Sequence, residues 1–290
     1  MPSSSSMNKI RAMDRPLSFP RRLPGRREGQ QAYLSPRRCQ RIAWVFLLLT
    51  ALGCAAGREA ARRDSEASRK LGIAFLTEGR PSLALREFSK ADALTPDDPE
   101  IQYYLGISYW MQQRELGKAE EKLRRAVELK PDYADAWNDL GAFYVSQGRY
   151  REALDPLERA VGNVFYPRQE LALSNLGWAL FRLGRVEEAQ ERLEQAVETA
   201  PGFPLAHKFL GIVLQDRGRH EEALAELDQA LRLLPEAQTG HRAEVQLHRG
   251  IGLLRLGRRA PAREAFEQAW RLAPRGDVGR SAKTYLDILE

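Results

Sequence analysis

Histidine, cysteine and paired glutamate are the residue types in this chain best suited to metal, nucleophilic or acid-base chemistry, and each is sparse or badly spaced for it. Four histidines occur: His207, His220, His241 and His248. No two stand at metal-ligand spacing with a cysteine or carboxylate partner, so neither a structural zinc nor a metalloenzyme centre is expected. The pairs Glu187-Glu188 and Glu221-Glu222 each open a predicted helix, where carboxylates complement the positive end of the helix dipole without doing acid-base work. Glycine-rich phosphate loops and the G-x-S-x-G nucleophile elbow are missing from the sequence. The expectation is a protein with no catalytic residue, no cofactor, no metal and no small-molecule substrate.

The cysteines point to a different chemistry. Residues 42–53, IAWVFLLLTALG, are an apolar run preceded by Arg37, Arg38 and Arg41 and followed at once by Cys54. About twelve helical residues span only ~18 Å against a hydrocarbon core of ~30 Å, so the run reads as a secretory h-region and not as a membrane span. Leu48, Leu49, Thr50, Ala51, Leu52, Gly53 and Cys54 together resemble the lipobox of bacterial lipoproteins. That resemblance implies cleavage before Cys54 and its acylation. With Ala55 in place of aspartate, it also implies export to the periplasmic face of the outer membrane. One acyl chain holds a membrane only marginally, whereas the several that such lipoproteins carry anchor stably. A plain secretory signal or an N-terminal anchor is the alternative. Residues 1–41, rich in Arg, Ser and Pro, are expected to be a disordered basic n-region, with Met7 and Met13 as later possible starts. Residues 54–64 are read as a lipidated tether.

Cleavage reverses the charge argument. The whole chain carries +6, but residues 1–53 hold ten Lys or Arg against Asp14 and Glu28, a surplus of eight that leaves the remainder at about −2. Basicity that would otherwise suggest nucleic acid therefore belongs to a segment that is removed, and no nucleic-acid partner is expected. Cys39 leaves with the same segment, so Cys54 has no cysteine with which to form an intramolecular disulfide.

The elements that carry these residues announce themselves through glycine. Gly72, Gly106, Gly141, Gly177, Gly211 and Gly250 recur at intervals of 34, 35, 36, 34 and 39 residues. With that glycine at place eight, six units run 65–98, 99–133, 134–169, 170–203, 204–242 and 243–276. Three residues after it stands a large side chain (Phe75, Tyr109, Tyr144, Leu180, Leu214, Leu253), on the same helical stripe. A turn glycine follows in most units (Gly79, Gly148, Gly184, Gly218, Gly257), suited to a helix C-terminus that needs a left-handed residue. The predicted second helix carries a buried edge of small, large and small residues, as in Ala153, Leu157 and Ala160, which lets two axes approach closely. Pro96, Pro131, Pro201, Pro235 and Pro274 close most units. This pattern resembles the tetratricopeptide repeat. The resemblance implies an all-α fold, a right-handed superhelical solenoid of six helix-turn-helix repeats. Residues 277–290, with Val278, Ala282, Tyr285, Leu286 and Ile288 read as one apolar stripe, are expected to be a capping helix.

In such solenoids the first helices line a concave wall, with places two, five, nine and twelve pointing inward. Place nine here is Ile73, Ile107, Ala142, Trp178, Ile212 and Ile251, and place twelve is Leu76, Trp110, Val145, Phe181, Gln215 and Leu254. With Tyr103, Leu171, Leu205 and Leu247 they form a nearly continuous apolar strip, part of which is needed between adjacent helices. A contiguous exposed apolar surface marks a partner site, and an amphipathic helix is one natural ligand. The candidate groove residues are Tyr103, Ile107, Trp110, Leu171, Trp178, Phe181 and Ile212. A co-chaperone groove would instead need clustered lysines and asparagines for a terminal carboxylate, and Asn138, Asn175 and Lys208 do not share one place.

The third unit ends in VGNVFYP, residues 161–167, followed by RQELALSNLGWAL. Tyr166 and Pro167 in this longer turn, then Glu170, Ala172, Asn175 and Gly177, resemble the type IV pilus pilotins, outer-membrane lipoproteins of six tetratricopeptide repeats. Trp178 and Ala179 depart from the glycine or cysteine that family often has after Gly177. The resemblance implies a protein partner in the groove, a secretin subunit, whose localisation or assembly in the outer membrane the protein assists. The other expectation is a general envelope scaffold for cell-wall or polysaccharide machinery.

Overall fold

The computed structural model describes the backbone of residues 36–290 and the side chains from residue 57 onward. Most of the expected disordered n-region therefore lies outside the described residues, as does the side chain of Cys54. Ala56–Glu290 form one compact unit, and the described residues 36–55 belong to a separate one. The described elements are helices: α1 (Pro36–Thr77), α2 (Pro81–Leu94), α3 (Pro99–Gln112), α4 (Leu116–Leu129), α5 (Ala134–Ser146), α6 (Tyr150–Gly162), α7 (Gln169–Arg182), α8 (Val186–Thr199), α9 (Pro204–Asp216), α10 (His220–Leu233), α11 (Thr239–Arg255), α12 (Arg259–Leu272) and α13 (Asp277–Leu289). They form an all-helical solenoid of successive helix pairs. Residues 42–53 and 54–64 both fall within α1. Among the described residues, no helix is long and apolar enough to cross a membrane.

One local device closes each pair. Gly184 ends α7 at φ +78 and donates its N–H to the Phe181 carbonyl at 2.9 Å, while the Arg185 N–H donates to the Leu180 carbonyl at 3.0 Å. These bonds satisfy carbonyls that a helix end otherwise strands. The second repeat has no glycine here, and Gln113 takes the left-handed conformation at φ 56. Arg185 then pairs with Glu188 at 2.6 Å, as Arg219 does with Glu222 at 2.5 Å, so these carboxylates at the second-helix N-termini hold the turn.

Within a pair, the place-eight glycine is what allows the helices to meet. A Cβ on Gly177 would stand 2.6 Å from Leu193 Cγ and 3.1 Å from the Ala189 carbonyl oxygen. Leu193 itself is completely buried and fills the space that the missing side chain leaves.

Two irregular steps in the period have distinct structural outcomes. The surplus residues before Gly250 lengthen α11, which starts at Thr239, so His241 is helical and does not lie in a connection. The longer turn after α6 is instead an ordered loop. The Asn163 carbonyl accepts from Tyr166 N–H at 2.9 Å and from Gln169 Nε2 at 2.6 Å, and Asn163 Nδ2 donates to the Asp132 carbonyl at 3.1 Å. Tyr166 is thereby tucked against Ala134, Ala160 and Ala172, whereas Val164 and Phe165 are 80% and 91% exposed.

At the C-terminus, α13 packs on α12, with Tyr285 stacked on Phe266 at a centroid distance of 4.7 Å. Ala282 and Leu286 are buried, but Ile288 is 65% exposed, which corrects its place in the expected stripe. Two residues beyond Leu286, it lies on the opposite side of the helix, and Leu289 packs inward instead.

Candidate partner-binding groove

The first helices stand in a row. α5 touches α7, α7 touches α9, and α9 touches α11, while α3 meets α5 through the edge of Trp110 on Phe143, 5.8 Å between centroids at 83°. Trp178 of α7 stacks on Phe209 of α9 at 4.6 Å and lies 5.6 Å from Phe181. Aromatic side chains thus join one repeat to the next along this wall.

The seven candidate residues divide by burial. Tyr103 and Ile212 are only 9% and 8% exposed, so they back the wall as core residues and do not form its surface. Ile107, Trp110, Trp178 and Phe181 are half-buried, each with one side packed on the main core. Leu171 is partly buried. The exposed strip read from the sequence is therefore a half-buried one, because superhelical packing consumes much of each side chain. The more exposed large apolar side chains, Val164, Phe165 and Ile288 among them, lie elsewhere.

A chain of polar groups crosses the same wall, and sequence reasoning missed it. Tyr103 O–H donates to Asp139 Oδ2 at 2.6 Å, Asn138 Nδ2 donates to Asp139 Oδ1 at 2.8 Å, and Asn175 Nδ2 donates to Asn138 Oδ1 at 3.1 Å. It links α3, α5 and α7. Burial pushes the Asp139 carboxyl above its usual range, against the hydrogen bond from Tyr103 and the charge of Arg168. Burial, and then the nearby Asp139 carboxylate, drive the Tyr103 phenol far above its ordinary pKa. Arg168 pairs with Asp135 and lies over the Tyr166 ring at 5.8 Å. The available signal was Asp139 itself, a carboxylate one position from the apolar stripe of α5.

Farther along, Lys208 is 5% exposed, with its ammonium 2.7 Å from Glu244 and 4.7 Å from the Phe209 ring centroid. His207 places Nδ1 2.6 Å from Glu226 and Nε2 2.9 Å from the Pro201 carbonyl. Among the described residues, no group of three or more His, Cys, Asp or Glu side chains is arranged to hold a metal ion.

Two models described as tetratricopeptide repeat match the chain, one at residues 69–133 and 174–238, the other at residues 132–201. The chain belongs to the tetratricopeptide repeat family. This tetratricopeptide repeat protein is 28% identical over 169 residues to the type IV pilus assembly protein PilF of Pseudomonas aeruginosa, a match covering 54% of this chain and 66% of that one. It is 32% identical to a human protein O-mannosyl-transferase, TMTC1, over 46% of this chain but only 15% of the transferase. The chain thus spans just under two thirds of the first of these curated relatives and a small part of the second. Among solved structures, that of Pseudomonas aeruginosa PilF aligns with a TM-score of 0.66 at 22% identity, over 79% of this chain and 99% of that one. PilW, described as a widely conserved type IV pilus biogenesis factor, aligns at 0.65 and 21% identity, over 76% and 98%. At such identities the structural likeness establishes the solenoid fold. Together with the sequence match, it makes this a tetratricopeptide repeat scaffold related to type IV pilus biogenesis proteins.

Proposed function

We propose that the protein is a lipid-anchored scaffold of type IV pilus assembly, whose first-helix wall holds a subunit of the pilus secretin as that subunit reaches or assembles in the outer membrane. The observation that carries this reading is the 169-residue match to PilF. The wall is consistent with it. Ile107, Trp110, Leu171, Trp178 and Phe181 each keep part of the side chain uncovered, and an amphipathic helix laid on such a row buries one face of itself. Acylated Cys54 supplies the membrane address, and the wall shields apolar surface on the subunit before its ring closes.

Deleting the gene and assaying heat-stable secretin multimers tests the proposal. Loss of multimers, restored by the wild-type chain but not by Cys54→Ala, is the expected result. Unchanged multimers sink it. Affinity capture that returns cell-wall or polysaccharide synthases in place of secretin would establish the general envelope scaffold instead.

A further inference from the structure

We infer that Val164 and Phe165, at the tip of the loop between α6 and α7, enter the surface of a lipid bilayer and give the solenoid a second membrane contact besides its N-terminal anchor. This rests on the lipid-anchor reading above and names the surface that the anchored solenoid turns toward the lipid.

The tip is apolar, uncharged and held outward. Val164 and Phe165 are 80% and 91% exposed, and no residue from Val161 to Pro167 is charged. After their prolines, the corresponding turns of the other units present Asp97 and Asp98, Asp132, Gly202, Glu236 and Arg275 instead. Buried Tyr166 pins the loop from below. Asn163 Oδ1 accepts from the Phe165 N–H at 3.0 Å, and the Asn163 carbonyl accepts from the Tyr166 N–H at 2.9 Å. Pro167 has no N–H to leave unpaired. Lipid offers backbone groups no partner, and these bonds within the loop remove that cost at Phe165 and Tyr166. Side chains already held in the inserting arrangement also lose little freedom on contact.

Position supplies the second, independent observation, because the tip lies on the edge of the solenoid by which the N-terminal segment enters. Ser65 Oγ of α1 donates to the Ala91 carbonyl at 3.1 Å, near the end of α2. Arg62 and Ser65, Thr95 and Asp97 of the turn into α3, and Lys130 before α5 line one surface depression. Asn163 Nδ2 then joins the loop to that last turn through the Asp132 carbonyl at 3.1 Å. These contacts run from the start of the first repeat to the tip, whereas the left-handed glycines Gly148 and Gly184 mark the opposite ends of α5 and α7. A lipid at Cys54 therefore tethers the solenoid by the edge that carries Phe165. Charges along this edge pair with opposite sign, Arg69 with Glu100, Arg125 with Asp97 and Arg168 with Asp135. Anionic headgroups thus find little net charge to attract, and apolar burial carries the contact, aided by the high local concentration that tethering provides.

The test uses the full chain carrying Cys39→Ser, with its remaining thiol, Cys54, joined to a maleimide phospholipid in phosphatidylcholine vesicles, so that it does not depend on acylation in the cell. Trifluoromethylphenylalanine is placed at Phe165 or, at the opposite edge, at the exposed Ser146 that ends α5. Fluorine NMR then reads each label with a nickel chelate in the water or a nitroxide on the lipid chains. Relaxation by the nitroxide and shielding from nickel are expected at the Phe165 position, and the reverse at the Ser146 position. Adding phosphatidylglycerol should change neither. Val164→Asp should cut the nitroxide effect at the Phe165 position about fivefold or more, at an unchanged melting temperature. Equal nickel relaxation at both positions overturns the inference. So does shielding of the Phe165 position that appears without vesicles as protein concentration rises, which would make a second copy the occupant. Mass spectrometry of the N-terminal peptide from cells separates the two proposals. Unmodified Cys54 together with a nitroxide-relaxed label at Phe165 removes the anchor reading alone, and acylated Cys54 with a nickel-relaxed label removes the tip contact alone.

Discussion

The indole of Trp178 in α7 lies 4.6 Å from the ring of Phe209 in α9 and 14° from parallel to it. This contact crosses from one repeat to the next, so a side chain read from the sequence as groove surface also holds the solenoid together. Trp178→Ala should therefore lower unfolding free energy by about 2–4 kcal/mol, read from urea denaturation. Groove function is better probed at Leu171, which joins no core cluster among the described residues. Leu171→Asp should reduce partner capture while helicity and unfolding midpoint stay near wild type.

Close approach at place eight makes a second prediction. Gly177→Ala should cost about 1–3 kcal/mol, because the new methyl meets Leu193 on one side and backbone at Ala189 on the other. Adding Leu193→Ala should cost less in that background than in wild type, and a double-mutant cycle of urea midpoints reads the coupling.

Two histidines predict opposite pH slopes. Burial alone would lower the pKa of His207, but the Glu226 carboxylate and Pro201 carbonyl outweigh it and raise it above 6.5. The folded state then binds this proton more tightly than the unfolded chain. Its contribution is fully present below pH 6.5 and is lost as pH rises through the raised folded value, so His207→Gln should cost more at pH 6 than at pH 9. His248 is pushed down to about 4 by burial. There the unfolded chain protonates first, so stability falls as pH drops from 6.5 to about 4, and His248→Gln should remove that loss. Urea midpoints across this range check both signs.

The loop after α6 predicts a sharp contrast between neighbours. Phe165, at 91% exposure, should tolerate serine within about 0.5 kcal/mol. Tyr166→Ala should cost about 2–4 kcal/mol, since its ring fills space between α5, α6 and α7. Thermal melting of the two variants reads the difference.

Sequence alone was enough for the features that repeat within a few turns of helix. The left-handed residue at Gly184, the missing Cβ at Gly177 and the large residue that fills its place all obey short-range spacing, and six repetitions expose them. The groove was less legible, and for a physical reason. Whether Tyr103, Trp178 or Ile212 is surface or core depends on how far each repeat rotates over the next, and no short spacing encodes that rotation. The pairings that settle it join residues a full repeat apart: Tyr103 with Asp139 at a separation of 36, Asn138 with Asn175 at 37, Lys208 with Glu244 at 36. Val164, Phe165 and Tyr166 stand side by side in sequence, and the contacts of the folded loop alone select Tyr166 for burial against Ala134, Ala160 and Ala172.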